Sequence, residues 1–117
     1  MAYFDGFVAA VPIASRADYT AFARRSWETM MRPLGARAMT ETWGDDVPDG
    51  ELTSFPMAVK AGPDEAVVLS WVEWPDKATR DAAWAKLSED DFDMGAMPFD
   101  GKRMIFGGFE TLVSERI

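Results

Sequence analysis

Cysteine and histidine are both absent from this 117-residue chain. Without cysteine there is no disulfide, no thiolate nucleophile and no sulfur-ligated metal. Without histidine the commonest general base near neutral pH is missing, as are the usual zinc and haem ligand and every Ser-His-Asp or Cys-His triad. Haem chemistry is disfavoured on that ground, and no cofactor or metal centre is expected. Basic residues are scarce: twelve Lys plus Arg face twenty Asp plus Glu, for a net charge of −8. Such a chain repels phosphate backbones, and its basic pairs are only Arg24-Arg25 and Lys102-Arg103, which argues against nucleic-acid binding. No stretch approaches the roughly 18 apolar residues of a membrane span. Met1 to Asp5 lacks the basic start and apolar run of a signal peptide. A cytoplasmic protein without membrane contact is the expectation.

Apolar residues are plentiful, at 48%, with five Trp and eight Phe. The length suits one domain over residues 1–117 with one core. Tyr3 to Val11 predicts a strand stopped by Pro12. Both of its side-chain rows are largely apolar, as in a strand covered on two faces. Ser15 to Leu34 predicts a helix with Ser15 as N-cap. Tyr19, Phe22, Ala23, Trp27, Met30 and Leu34 form its apolar stripe, and Pro33 and Gly35 end it. Ala36 to Trp43 alternates imperfectly and reads as a strand nearer an edge. Residues 44–50 form a loop. Pro56 fits the first turn of a short helix capped by Thr53 or Ser54. Ala66 to Trp74 is the clearest strand, again apolar on both faces. Asp76 caps a second long helix to about Leu87, with Arg80, Ala83, Trp84 and Leu87 on its inner side. Ser88 to Met97 reads as an acidic loop, and a last strand covers about Arg103 to Val113.

Strand, helix, strand, insert, strand, helix, strand is the βαββαβ order of an α+β, ferredoxin-like fold with a four-stranded antiparallel sheet. The two doubly apolar strands are the first and third, which this topology places in the middle. Two helices cover one face of such a sheet. Large residues on the other face would leave an exposed apolar patch beyond what monomers carry, so a homodimer through that face is expected. The alternative cover is loops 44–65 and 88–102. Gly107-Gly108 in the last strand implies a bulge or a close approach to its backbone, with a second copy as the first candidate.

Four blocks carry a resemblance. They are Tyr3-Phe4-Asp5-Gly6-Phe7-Val8, Trp43 to Gly50, Ser70-Trp71-Val72-Glu73-Trp74-Pro75 with Arg80-Asp81, and Met97 to Glu110. Together they look like the YbaA-like family of small bacterial proteins of unknown function. The resemblance implies the dimeric α+β barrel type of assembly and no established activity. The acidic segment Ser88 to Gly95 departs from it by being shorter and lacking a basic residue.

Candidate chemistry is confined to acids, one arginine and the tryptophans. Asp5, Glu41, Glu73 and Glu110 lie one to a strand. Two of them converging could tune a pKa or hold a hard cation; apart, they are solvated rim residues. Arg80 falls on the inner stripe of its helix, where a carboxylate partner is the favoured reading and a bound ligand carboxylate the other. Trp43, Trp71 and Trp74 offer a flat apolar surface for a small organic ligand, with the core or the dimer interface as the favoured reading. The first reading is a small-molecule binding protein or an enzyme without a cofactor, with a pocket between sheet and helices lined by Glu41, Trp43, Trp71, Glu73 and Arg80. The rival is a non-catalytic interaction or assembly module with no pocket.

Overall fold

The structure, a computed structural model, describes residues 1–89 and 97–117. Tyr3–Pro12 forms strand β1. A 3-10 turn at Ile13–Ser15 runs straight into helix α1, Arg16–Ser26. Ser15 holds the N-cap position, but its side chain makes no capping hydrogen bond. The turn supplies a backbone acceptor in its place, since the Arg16 N–H donates to the Ile13 carbonyl. Beyond Ser26 the helix widens instead of continuing regularly to Leu34. Trp27–Met31 is a π turn in which the Arg32 N–H donates to the Trp27 carbonyl at 2.9 Å. The wider turn lets Met30 and Met31, adjacent in sequence, both bury their side chains. Gly35, at φ +107°, ends the segment.

Strand β2 spans Ala38–Trp43. The short helix α2, Phe55–Ala58, has Pro56 in its first turn and Ser54 as its cap, with the Met57 N–H donating to Ser54 Oγ at 3.1 Å. Strand β3 is Glu65–Trp74. Asp76 Oδ1 accepts from the Thr79 N–H at 2.8 Å and opens helix α3, Lys77–Glu89. This helix takes in Ser88 and Glu89, so the expected acidic loop begins later than predicted; its residues 90–96 lie outside the described part. Strand β4, Ile105–Glu110, is shorter at both ends than Arg103–Val113; on the N-terminal side Arg103 is held in ion pairs with Glu65 and Asp100 before the strand begins.

All strand pairs are antiparallel, in the order β2-β3-β1-β4. This is the ferredoxin-like arrangement, with β1 and β3 central and β2 and β4 at the edges. Register divides the side chains between two faces. Asp5 pairs with Val72 and Gly108, Phe7 with Ser70 and Phe106, and Glu41 with Ser70, so these residues share the helix-covered face. The core lies there, built on Val11, Tyr19, Ala23, Met30, Met31, Val68, Val72, Trp74 and Ala83.

Phe4, Gly6, Val8, Leu69, Trp71, Ile105 and Phe109 share the opposite face. Its cover is divided. At one end α2 and the following turn bring Val59 onto Ala10 and Val67, and all three are buried. The middle stays open: Trp71 is 37% exposed, Leu69 38%, Ile105 45% and Phe109 61%. At the far end Arg116 reaches Glu73 at 3.7 Å.

The double glycine sits in unbroken register, with Gly107 opposite Gly6 and Gly108 opposite Asp5, so there is no bulge. What presses on Gly108 is the chain itself. A Cβ there would lie 2.5 Å from Tyr3 Oη and 2.7 Å from the Arg80 guanidinium. The expected close approach exists, and intramolecular groups make it.

Candidate functional site

Between α1 and the edge strand β2 runs a cleft of about 860 Å³, within the range of small-molecule sites. Helix α1 contributes Arg16, Tyr19, Thr20 and Arg24 to its wall. The π turn adds Trp27 and Glu28, and β2 adds Met39, Glu41 and Trp43. The periodicities explain the pairing. Tyr19 lies on the apolar stripe of α1 and points at the sheet, while Glu41 alternates onto the helix-covered face of β2 between Met39 and Trp43.

The two polar tips meet: Tyr19 Oη donates to Glu41 Oε1 at 2.6 Å. Ser70, directly opposite Glu41 in the β2–β3 register, is buried and also bonds to this pair. Glu41 is an exposed residue overall, yet packing around its carboxyl group withdraws it in part from water. That desolvation raises its pKa above the ordinary glutamate value, against the opposing hydrogen bonds from Tyr19 and Ser70. Burial and the neighbouring Glu41 charge push the Tyr19 hydroxyl far above its usual range, so Tyr19 remains a donor at any working pH. Behind this pair lies a smaller apolar chamber of about 130 Å³, walled by Phe7, Phe22, Met30, Met39, Trp84 and Phe99 among others. Tyr19, Met39 and Glu41 border both spaces, so the Tyr19–Glu41 bond forms part of the partition.

A second polar cluster lies under α3. Asp5 is 3% exposed in the middle of the sheet. Its Oδ2 accepts from the indole N–H groups of Trp74 and Trp84, each at 2.9 Å, and its Oδ1 accepts from Arg80 Nη2 at 2.8 Å. Arg80 also donates to Asp81 at 3.0 Å, and its guanidinium lies 5.4 Å from the centre of the Tyr3 ring. The bonds to Asp5, then those to Asp81, raise the already high pKa of Arg80. The carboxylate is saturated by protein donors, so the cluster holds α3 to the sheet and offers no open ligand position.

A third cluster joins the stretch before β4 to the insert. Arg103 donates to both Glu65 oxygens, at 2.8 and 2.7 Å, and to the Lys60 carbonyl at 2.8 Å. The Arg103 bonds, with help from the Gly62 N–H, hold Glu65 down to about 2.

Of the five residues the sequence singles out, the structure brings Glu41 and Trp43 together in the cleft. Trp71 and Glu73 lie on the opposite face of the sheet, and Arg80 is committed to Asp5. Glu110 shares the helix-covered face with Asp5 and Glu41, but the three acids sit on different strands without converging. Among the described residues no cluster of acids has metal-site geometry, and no helix is long and apolar enough to cross a membrane. Sequence reasoning missed Tyr19, Arg16 and Arg24 as cleft residues. It also passed over Asp5 as the partner of Arg80. A signal existed for the latter: a lone acid inside the apolar run of a central strand must be buried, and a buried acid needs donors.

Known proteins agree with this architecture. A crystal structure of a dimeric ferredoxin-like protein from an uncultured marine organism superposes with a TM-score of 0.54 over 100% of both chains, at 13% sequence identity. That likeness concerns the fold. The uncharacterized protein YbaA of Escherichia coli (strain K12) is 48% identical over 98% of this chain and 100% of its own length, and the uncharacterized YbaA of Shigella flexneri matches to the same extent. The profile of the family described as "Protein of unknown function (DUF1428)" covers residues 2–101. With that match and this identity along nearly its whole length, the chain belongs to the DUF1428 family.

Proposed function

We propose that this protein is a homodimer that binds a small organic molecule in the cleft between α1 and β2. The observation that carries the ligand reading is the Tyr19–Glu41 pair at the wall of the 860 Å³ cleft. A carboxyl of raised pKa facing a concave space beside aromatic rings is the arrangement expected of a binding site or of a general acid–base group. It would be a poor choice for a surface that only supports the fold.

The homodimer reading rests on the open half of the sheet. Trp71, Leu69, Phe109 and Ile105 form one apolar surface with Phe4 and Gly6. A second copy matches such a face with its own, burying at roughly 25 cal/mol per Å² the apolar area now in water. The dimeric state described for the ferredoxin-like structural neighbour supports this reading. A protein whose tryptophans serve only assembly would also use this face, but it would have no need of the cleft on the other side.

Native mass spectrometry of protein purified gently from its own source tests both parts. Two chains carrying a constant added mass are expected, with the added mass lost in the Trp43→Ala variant while the dimer persists. Two bare chains in the wild type, with no ligand recovered from them, would remove the ligand reading and leave an assembly module.

A further inference from the structure

Resting on that ligand reading, we propose that the cleft takes a small organic carboxylate with a flat apolar body, its head held by Arg16 and Arg24 and its body lying on Trp43 and Trp27. Arg16, Thr20 and Arg24 are four residues apart and therefore form one stripe of α1, and all three line the cleft. Four other arginines face a carboxylate. Arg32 faces Glu28, Arg80 faces Asp5, Arg103 faces Glu65 and Arg116 faces Glu73. Among the described residues, neither Arg16 nor Arg24 has a carboxylate within ion-pair distance. In a chain with eight more acids than bases, two such arginines on one stripe of one cleft are a conspicuous local concentration of unspent positive charge.

The rim is also organised. The Arg16 guanidinium lies 5.2 Å from the centre of the Trp43 ring. At that distance the ring face attracts the cation, and the guanidinium keeps N–H groups with which to bind a carboxylate. Trp27, from the π turn, adds a second aromatic wall. The acids facing the same space set the charge of the ligand. Glu28 is paired with Arg32 at 3.7 Å, and Glu41 directs its carboxyl to Tyr19. Two cations beside two acids suit a single negative charge better than the double charge of a phosphate monoester, and the net charge of −8 adds to the preference.

The test is a titration followed through the indole N–H resonances of Trp43 and Trp27, with Trp71 on the opposite face as the internal control. The probes are 2-naphthoate, its neutral amide, 2-naphthylmethylamine and 2-naphthyl phosphate. Naphthoate is expected to shift Trp43 and Trp27 but not Trp71, and to bind at least tenfold more tightly than the other three. The double variant Arg16→Gln/Arg24→Gln is expected to lose that tenfold while binding the neutral amide as before. Its thermal midpoint reports whether the fold is kept, and Arg24→Lys, which retains the charge, is expected to recover part of the affinity. Amide, amine or phosphate binding as well as naphthoate would overturn the inference and leave the ligand reading standing, as would an unchanged naphthoate affinity in the double variant. No shift at Trp43 with any probe also overturns it. The ligand reading falls too only if the natively purified protein carries no added mass.

Discussion

Asp5 shows how one side chain can decide the arrangement around it. Its two oxygens satisfy the indole N–H groups of buried Trp74 and half-buried Trp84 and one guanidinium. Replacing it by alanine leaves all three donors without their acceptor and Arg80 with only the more exposed Asp81 as a charge partner. Asp5→Ala is therefore expected to destabilise the fold by about 3–5 kcal/mol, measured by urea denaturation. The double glycine separates in the same way. Gly108→Ala would drive a methyl into Tyr3 and Arg80 and is expected to cost about 1–3 kcal/mol. At Gly107 the nearest atoms to an added Cβ are 3.7 Å away, on the Phe109 ring. Gly107→Ala is expected to be neutral or stabilising by up to about 1 kcal/mol, through the lower entropy of the unfolded chain. Equal effects at the two positions would contradict the contact assigned to Gly108.

Glu41 gives a prediction in pH. Its pKa is raised in the folded state, so folding favours its protonated form. The contribution is most favourable below the ordinary glutamate pKa of about 4.3 and is lost as pH rises through the raised value. Glu41→Gln keeps an acceptor for Tyr19 and removes the charge. The variant is expected to melt higher than wild type at pH 7, with the gap closing toward pH 4. A gap that widens on acidification would show that the carboxylate, and not its withdrawal from water, dominates the site.

At the scale of elements, the Arg103–Glu65 contact fastens the stretch before β4 to the start of β3. Glu65 is held down to about 2. Its contribution is thus present above about pH 4.3 and disappears as pH falls toward 2. Thermal midpoints between pH 7 and pH 2 should show Arg103→Gln below wild type at neutral pH and indistinguishable from it at the acid end.

The elements also show what could be read from the chain. The doubly apolar rows of Tyr3–Val11 and Ala66–Trp74 identified the central strands because that pattern depends only on period-two alternation. The short helix at Pro56 followed from the one place where proline is tolerated in a helix. The π turn at Trp27–Met31 was hidden because π and α hydrogen bonding share one apolar stripe over a single turn. The cleft was half legible. Glu41 and Trp43 are neighbours on alternating positions of one strand, whereas Tyr19 reaches them only through the packing of α1 on the sheet. Trp71 and Glu73 were grouped with them because residue type does not report which face of a strand a side chain occupies.

The whole molecule divides its two sheet faces. One carries the two long helices, the main core and, at the β2 edge, the cleft. The other is covered at one end by Val59 and left apolar in the middle. We propose the first face for a ligand and the second for another copy of the chain, so that the two are separable. Native mass spectrometry of Trp71→Glu beside wild type, both purified gently from the native source, tests that separation most directly. A charge in the middle of the open face should give a single chain that still carries the added mass seen on each wild-type protomer. A variant that stays dimeric, or a wild type that is itself a single bare chain, would contradict this division of the two faces.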